Sequence, residues 1–360
     1  MLGSVFGAAL GDAIGAPFEF TEPEEAARQT GSQWIDGLYP CCGAPGPHGV
    51  WQAGSPAGTG TDDTRYNWMF LRLAARLRRM PCAEVLAQWY LHAYERPQSF
   101  FPDCVESARD QFRIWEPVCR GCLGQSSSVC PDVRPSMLRE RSIGLNYPTL
   151  IGLITLTGSG LLFPGRPREA YVATYETDFY DVGYAREATA VLAGAISMAI
   201  AGKTARTVCA EATVMDPLAL GGDFGGPFVT DRLPALLREA PENCLAEELA
   251  DDMSQLLAAC DAFDPLRALA LAFAAVRAFP NDPVAAILVA VNHRAVDRRG
   301  RIAGFLDVDC YGCVTGALAG AVCGLDKFPR GLLWQVARSN KAVYGIDLEQ
   351  TASAIADHFH

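Results

Sequence analysis

Apolar residues recur at helical spacing along almost the whole chain, and alanine and glycine fill many of these positions. This pattern limits the fold more than any other feature. Small residues let helices approach closely, while the β-branched and aromatic residues that suit strands are comparatively sparse. Leu2 to Ile14 reads as a helix with small residues on one face. A second helix begins at Thr61 and runs through Trp68, Met69 and Phe70 to Arg79, and Ala83 to Tyr94 continues the pattern. Arg186 to Ala201 is an Ala-rich helix ending at Gly202. Glu247 to Ala259, Leu266 to Ala278 and Val284 to Val291 add three more. Gly312 to Val322 (GCVTGALAGAV) is another tight helix, and Leu348 to Phe359 closes the chain. No strand-alternating series and no fixed-period repeat stands out. Half of the 360 residues are apolar, enough for a sizeable core, so the expectation is one all-α domain spanning 1–360. The stretch from Pro97 to Pro148, with its clustered Pro, Cys and Ser, is expected to be long loops around a short helix near Val105–Ile114.

Charge excludes several classes of partner. The formal net charge is −11, and an acidic surface repels nucleic-acid phosphates and anionic lipids. A small anionic ligand stays open if metal ions screen its site. The opening segment has no basic n-region, Asp12 interrupts its apolar run, and the longest apolar stretches fall short of a membrane span. A soluble, cytoplasmic chain is expected. The 13 cysteines are an odd number, scattered through apparent helices and loops, and read as reduced core residues. Cys119, Cys122, Cys130 and the Cys41–Cys42 pair lack the partner motif of a structural zinc site.

Two acidic clusters carry the chemistry. Thr61-Asp62-Asp63-Thr64 follows the Gly-rich approach Ala57-Gly58-Thr59-Gly60, and Asp307-Val308-Asp309-Cys310 directly precedes the Gly312 helix. Either cluster alone is explained by capping, since Thr is a good N-cap and Asp in a first turn complements the helix dipole. Capping does not explain four carboxylates at two similar junctions. Oxygen ligands gathered at converging helix starts suit hard divalent cations, and two clusters could hold two ions. Glu19, in the loop after the first helix, is a third acid: a solvated carboxylate or a further member of the site.

These residues resemble a known family. GAALGDAIGAPFEF is similar to the opening of the ADP-ribosylglycohydrolases. TDDT after a Gly-rich loop resembles that family's first metal motif, REATAVLAGAISMAIAG its central helix, and DVDCYGCVTGALAGAVCG its last motif. The order is right and the motifs span nearly the whole chain. The resemblance implies an orthogonal all-α bundle with a central binuclear metal cleft holding two Mg²⁺. It implies Thr61, Asp62, Asp63, Asp307 and Asp309 as metal ligands, and Glu19 as the glutamate that positions substrate there. Asp12 would be a supporting or structural residue. The activity implied is cleavage of an ADP-ribosyl bond at the anomeric carbon, N- or O-linked, in a modified protein or a small conjugate. Breaking that bond develops oxocarbenium character, which carboxylates stabilise, and Asp62 or Asp63 would activate the water.

The chain departs from the family pattern in three places. Cys310 stands where a second Thr is usual, and a neutral thiol is a poor Mg²⁺ ligand, which weakens one of the two ion positions. Ser142 to Pro148 lacks the Met-Arg that helps hold the diphosphate, leaving Asn146 as the substrate contact expected there. Asp181 to Arg186 replaces a His-Asn-His-Pro-like segment. Tyr180, Tyr184 and Tyr311 are candidates to stack on a base, and core packing explains each as well. Gly221 to Pro227 reads as an ordinary turn or a substitute phosphate loop, and His293 as a surface or capping residue. These departures keep two alternatives open: a ribosyl hydrolase of a smaller, nucleoside-like substrate, and a non-catalytic ADP-ribose-binding relative.

Overall fold

The computed structural model describes residues 1–138, 148–220 and 228–359. Asn146 and the Gly221–Pro227 segment lie outside the described residues. Within them the chain forms seventeen α-helices and one two-stranded antiparallel hairpin, so the all-α expectation holds. The hairpin pairs Arg294–Val296 with Ile302–Phe305, and the sequence did not reveal it because both strands are too short to show alternation.

The Leu2–Gly15 and Val308–Cys323 helices lie against each other over their full length. Their contact is backbone on backbone. A Cβ on Gly3 would sit 2.4 Å from the Gly320 carbonyl oxygen, one on Gly7 2.1 Å from that of Gly316, and one on Gly11 1.9 Å from that of Gly312. A Cβ on Gly15 would lie 2.5 Å from the Cα of Asp309. Both helices carry glycine at every fourth position here, which places the glycines on one face. The pairing is antiparallel, so the end of the first helix meets the start of the second. Asp12 and Gly15 thereby arrive beside Asp307 and Asp309.

The Asp62–Leu77 helix brings the other acidic motif to the same place. Its N-cap is Thr61, whose side chain accepts from the Asp63 N–H. The preceding loop is held by the Arg330–Tyr344 helix. The Asn340 side chain accepts from Gly60 N and donates to the Gly58 carbonyl, and the Tyr344 hydroxyl donates to the Gly60 carbonyl at 2.8 Å. The Ala-rich helix, Tyr184–Ile200, and the Pro265–Ala278 and Pro283–Val291 helices pack around the glycine-bearing pair and complete the buried centre.

The segment expected to be loop-rich is more helical than its composition suggests. The helix beginning at Val105 runs to Cys122, through Pro117. Proline removes one helical hydrogen bond, but Phe112 and Trp115 before it and Val118 and Cys119 after it all bury their side chains. Glu116, fully buried in the same helix, accepts from Ser127, Ser128 and Arg120 and ties the following loop down. Helices at Pro23–Thr30, Pro167–Thr177, Ala205–Ala212 and Arg330–Tyr344 were not evident from the sequence, each being short or mixed in polarity.

Candidate functional site

A cavity of about 250 Å³ is lined by the polar side chains of Glu19, His48, Asp62, Asp307, Asp309 and Cys310, and by Thr149, Leu150, Ile151, Ile154 and Phe263. Three separate chain segments deliver the acids. Glu19 sits in a turn pinned to the second cluster, because Phe20 N–H donates to the Leu306 carbonyl and Phe305 N–H to that of Thr21. Asp62 and Asp63 occupy the first turn of their helix. Asp307 is the N-cap of the Val308–Cys323 helix but makes no capping hydrogen bond; its side chain lines the cavity and interacts with those of Cys310 and Asp309.

Capping therefore explains Thr61 and fails to explain Asp307. The Thr61 hydroxyl also donates to Asp12 at 3.0 Å. Asp12 is fully buried and accepts from Thr61 N, Thr64 N and the Thr64 hydroxyl as well. It clamps the start of the Asp62–Leu77 helix to the first helix and does not line the cavity.

The ligand atoms fall into two groups, each spanning no more than 4.8 Å: Asp63 with Asp309 and Cys310, and Glu19 with Asp307 and Asp309. Each group mixes residues from distant parts of the chain, and Asp309 belongs to both. Asp63 Oδ2 and Asp309 Oδ1 are buried with no hydrogen-bond partner. An unpaired buried carboxylate oxygen is costly. Burial raises Glu19 to about 8, reinforced by Asp307, Asp62 and Asp12, and raises Asp307 to about 7. Asp63 and Asp309 are also pushed well above the usual carboxylate range, by burial first and by neighbouring acids second. So many carboxylates cannot all be ionised together unless a cation joins them, and orphaned oxygens facing one another fit a divalent ion.

His48 was not singled out from the sequence. Its Nδ1 lies 3.1 Å from Asp62 Oδ2, and that contact is the main cause of its raised pKa. The buried Arg65 guanidinium sets the loop by donating to the carbonyls of Pro47 and Gly49, on either side of His48, while stacking 4.3 Å over Trp51. A lone histidine in a Gly/Pro-rich loop offers no spacing signal, and only the folded loop puts it beside Asp62.

The aromatic candidates fare differently. Tyr311 is buried, donates to the Ala262 carbonyl and stands edge-on to His293. Tyr180 packs among Tyr90, Trp115 and Phe179. Tyr184, at the start of the Ala-rich helix, hydrogen-bonds Asp264. None of the three is among the cavity-lining residues, whereas Phe263 is, with Phe20 packed against it edge to face at 5.6 Å. Both phenylalanines are partly open to solvent. His293 is neither surface nor cap: it is fully buried between Arg267 and Ser254, and burial lowers its pKa. All thirteen cysteines are free thiols. The candidate metal groups among the described residues include none of Cys41, Cys42, Cys119, Cys122 or Cys130. No described helix is long and apolar enough to cross a membrane.

The family model of the ADP-ribosylglycohydrolases matches residues 1–360, the whole chain. No curated protein matches it.

Proposed function

Because the chain belongs to the ADP-ribosylglycohydrolase family, a family of hydrolases acting on glycosidic bonds, we propose that it is a Mg²⁺-dependent enzyme cleaving an ADP-ribosyl bond at the ribose anomeric carbon. The observation that carries this reading is the pair of orphaned, buried carboxylate oxygens of Asp63 and Asp309, of which Asp309 lines a cavity together with Glu19, Asp62 and Asp307.

Thr61, Asp62, Asp63, Asp307 and Asp309 are the residues that would hold the metal, with Glu19 beside them. Bound there, divalent ions would orient the ribose hydroxyls and lower the pKa of a water. The protein's own groups supply the rest. Asp62 lines the cavity while Asp63 does not, so Asp62 is the better placed to receive the water proton. His48 fixes the Asp62 carboxylate through its 3.1 Å contact. The ring of carboxylates stabilises positive charge as it develops on the ribose. Glu19, among the lining residues, positions the sugar. Leu150, Ile151 and Ile154 add apolar lining that excludes water, and Phe263 with Phe20 offers an apolar edge for a base or leaving group.

A second reading concerns substrate size. The described cavity, about 250 Å³, lies at or below the lower end for ligand pockets, roughly 300–1,000 Å³. It encloses a ribose more readily than a whole ADP-ribose, which favours a smaller nucleoside-like substrate as the alternative. Incubation with Mg²⁺ and a panel of ADP-ribosyl and ribonucleoside conjugates tests both. Release of ADP-ribose is expected, and release of free ribose alone would shift the reading to the alternative. Binding of ADP-ribose without turnover of any conjugate would leave a non-catalytic relative.

A further inference from the structure

We propose that Asp63, Asp309 and Cys310 form a position for a borderline divalent cation such as Zn²⁺ or Co²⁺, ligated through sulfur, next to an all-oxygen position of Glu19, Asp307 and Asp309 that suits Mg²⁺. The inference rests on the metal-centre reading above and goes beyond it, since it makes the two positions chemically unequal.

The geometry comes first. Cys310 Sγ, an Asp63 oxygen and an Asp309 oxygen all lie within 4.8 Å of one another, close enough to share one ion. The Cys310 thiol donates to Asp63 Oδ1 at 3.4 Å, so sulfur and carboxylate already face each other. Asp63 Oδ2 and Asp309 Oδ1, both buried, have no other partner. Cys310 also lines the cavity, which gives an ion a route to the sulfur.

Donor chemistry then separates the two positions. Three carboxylates make a hard set that suits Mg²⁺, an ion bound by oxygen and by retained waters. Replacing one oxygen by sulfur penalises Mg²⁺ and favours ions that accept mixed O/S ligation. The binding step balances without redox change: a metal–sulfur bond forms, the S–H bond breaks, and the thiol proton leaves to solvent. Asp309 belongs to both groups and would bridge them. Cys313, one turn further along the same helix, is also buried but stands outside both groups, which makes it the natural control.

The experiment is a Co²⁺ titration of the full chain followed by absorbance and by calorimetry. The wild type should develop a thiolate-to-Co²⁺ charge-transfer band in the near ultraviolet. Cys313→Ser should keep that band. Cys310→Ser and Cys310→Thr should lose it and bind Co²⁺ at this position at least about tenfold more weakly, while Mg²⁺ binding at the all-oxygen position is retained. Co²⁺ binding without a thiolate band in the wild type would overturn this inference and leave the metal centre standing. A band that survives in Cys310→Ser would do the same. No calorimetric binding of either ion to the wild type would overturn both.

Discussion

Two parts of the molecule bury neighbouring carboxylates, and they accommodate them in opposite ways. At the acidic cluster, Asp63 and Asp309 keep oxygens with no donor, and acidic neighbours add to the strain. Next to the lining residues Thr149 and Ile151, Asp178 and Asp181 are just as buried but are held by the protein itself. Asp181 accepts from the Thr149 hydroxyl at 2.9 Å and from Gly152 N at 2.8 Å, and Asp178 accepts from the N–H groups of Tyr180 and Asp181. Asp178 Oδ2 has no well-formed hydrogen bond and crowds Asp181 Oδ2 and Thr189 Oγ1 around Gly152. Two carboxyls that close stand together only when one carries a proton. The inner pair is a structural tie that positions Thr149 and the Ile151 helix on the cavity wall. The outer group has too few donors of its own and could ionise fully only with positive charge from outside. Burial and acidity alone do not distinguish them; the supply of donors does.

The sharpest way to break this contrast is to remove one carboxylate from each. Asp309→Ala should weaken divalent-ion binding and lower turnover by at least about 10²–10³-fold, whereas Asp181→Asn should leave ion binding nearly unchanged. Calorimetry and steady-state kinetics on both variants check it, and equal losses of ion affinity would erase the distinction. The next effect falls on the frame beneath the cavity. Gly11→Ala puts a methyl where only 1.9 Å separates it from the Gly312 carbonyl, and should cost about 3 kcal/mol or more by denaturant unfolding. The same substitution at Gly37, where nothing crowds the added atom, should cost far less.

The inner pair also leaves a pH signature. Burial raises Asp178 from 3.8 to about 6, and Asp181 is raised well above its usual range. A raised carboxyl pKa means the folded state holds protons that the unfolded chain releases. That contribution to stability is complete below the unfolded value and is lost as pH rises through about 6. With divalent ions saturating at every pH, the wild-type Tm should fall relative to that of Asp181→Asn by a few degrees between about pH 4 and pH 8. Parallel Tm curves would show that the pair shares no proton. The smallest effect concerns substrate length. Without the Met-Arg pair, extending ribose to ADP-ribose should improve binding less than a diphosphate-gripping site would. Calorimetry with ribose, a nucleoside and ADP-ribose measures the increments, and a large gain from the diphosphate would contradict the enclosed-ribose picture.

The sequence by itself determined the helical class, because a 3.6-residue period is a local property that survives without knowledge of any neighbour. It also marked Asp62, Asp63, Asp307 and Asp309, since paired acids at helix starts stand out in one dimension, and Glu19 as a third acid in the loop after the first helix. The boundaries of the Leu2, Ala83, Pro265 and Leu348 helices were legible for the same reason, while the Val105 helix was cut short because a proline signals a stop that packing overrode. Which acids stand close enough to share an ion was decided only in three dimensions. The motifs group Asp62 with Asp63 and Asp307 with Asp309, but the fold sets Asp63 beside Asp309 and Cys310, and Glu19 beside Asp307. The antiparallel glycine contact between the first helix and the Val308 helix makes that exchange, by bringing backbones together that are some three hundred residues apart in sequence. His48 and Phe263 became visible in the same way. Their roles depend on a loop held by Arg65 and on an apolar edge formed with Phe20, contacts through space that no local period encodes.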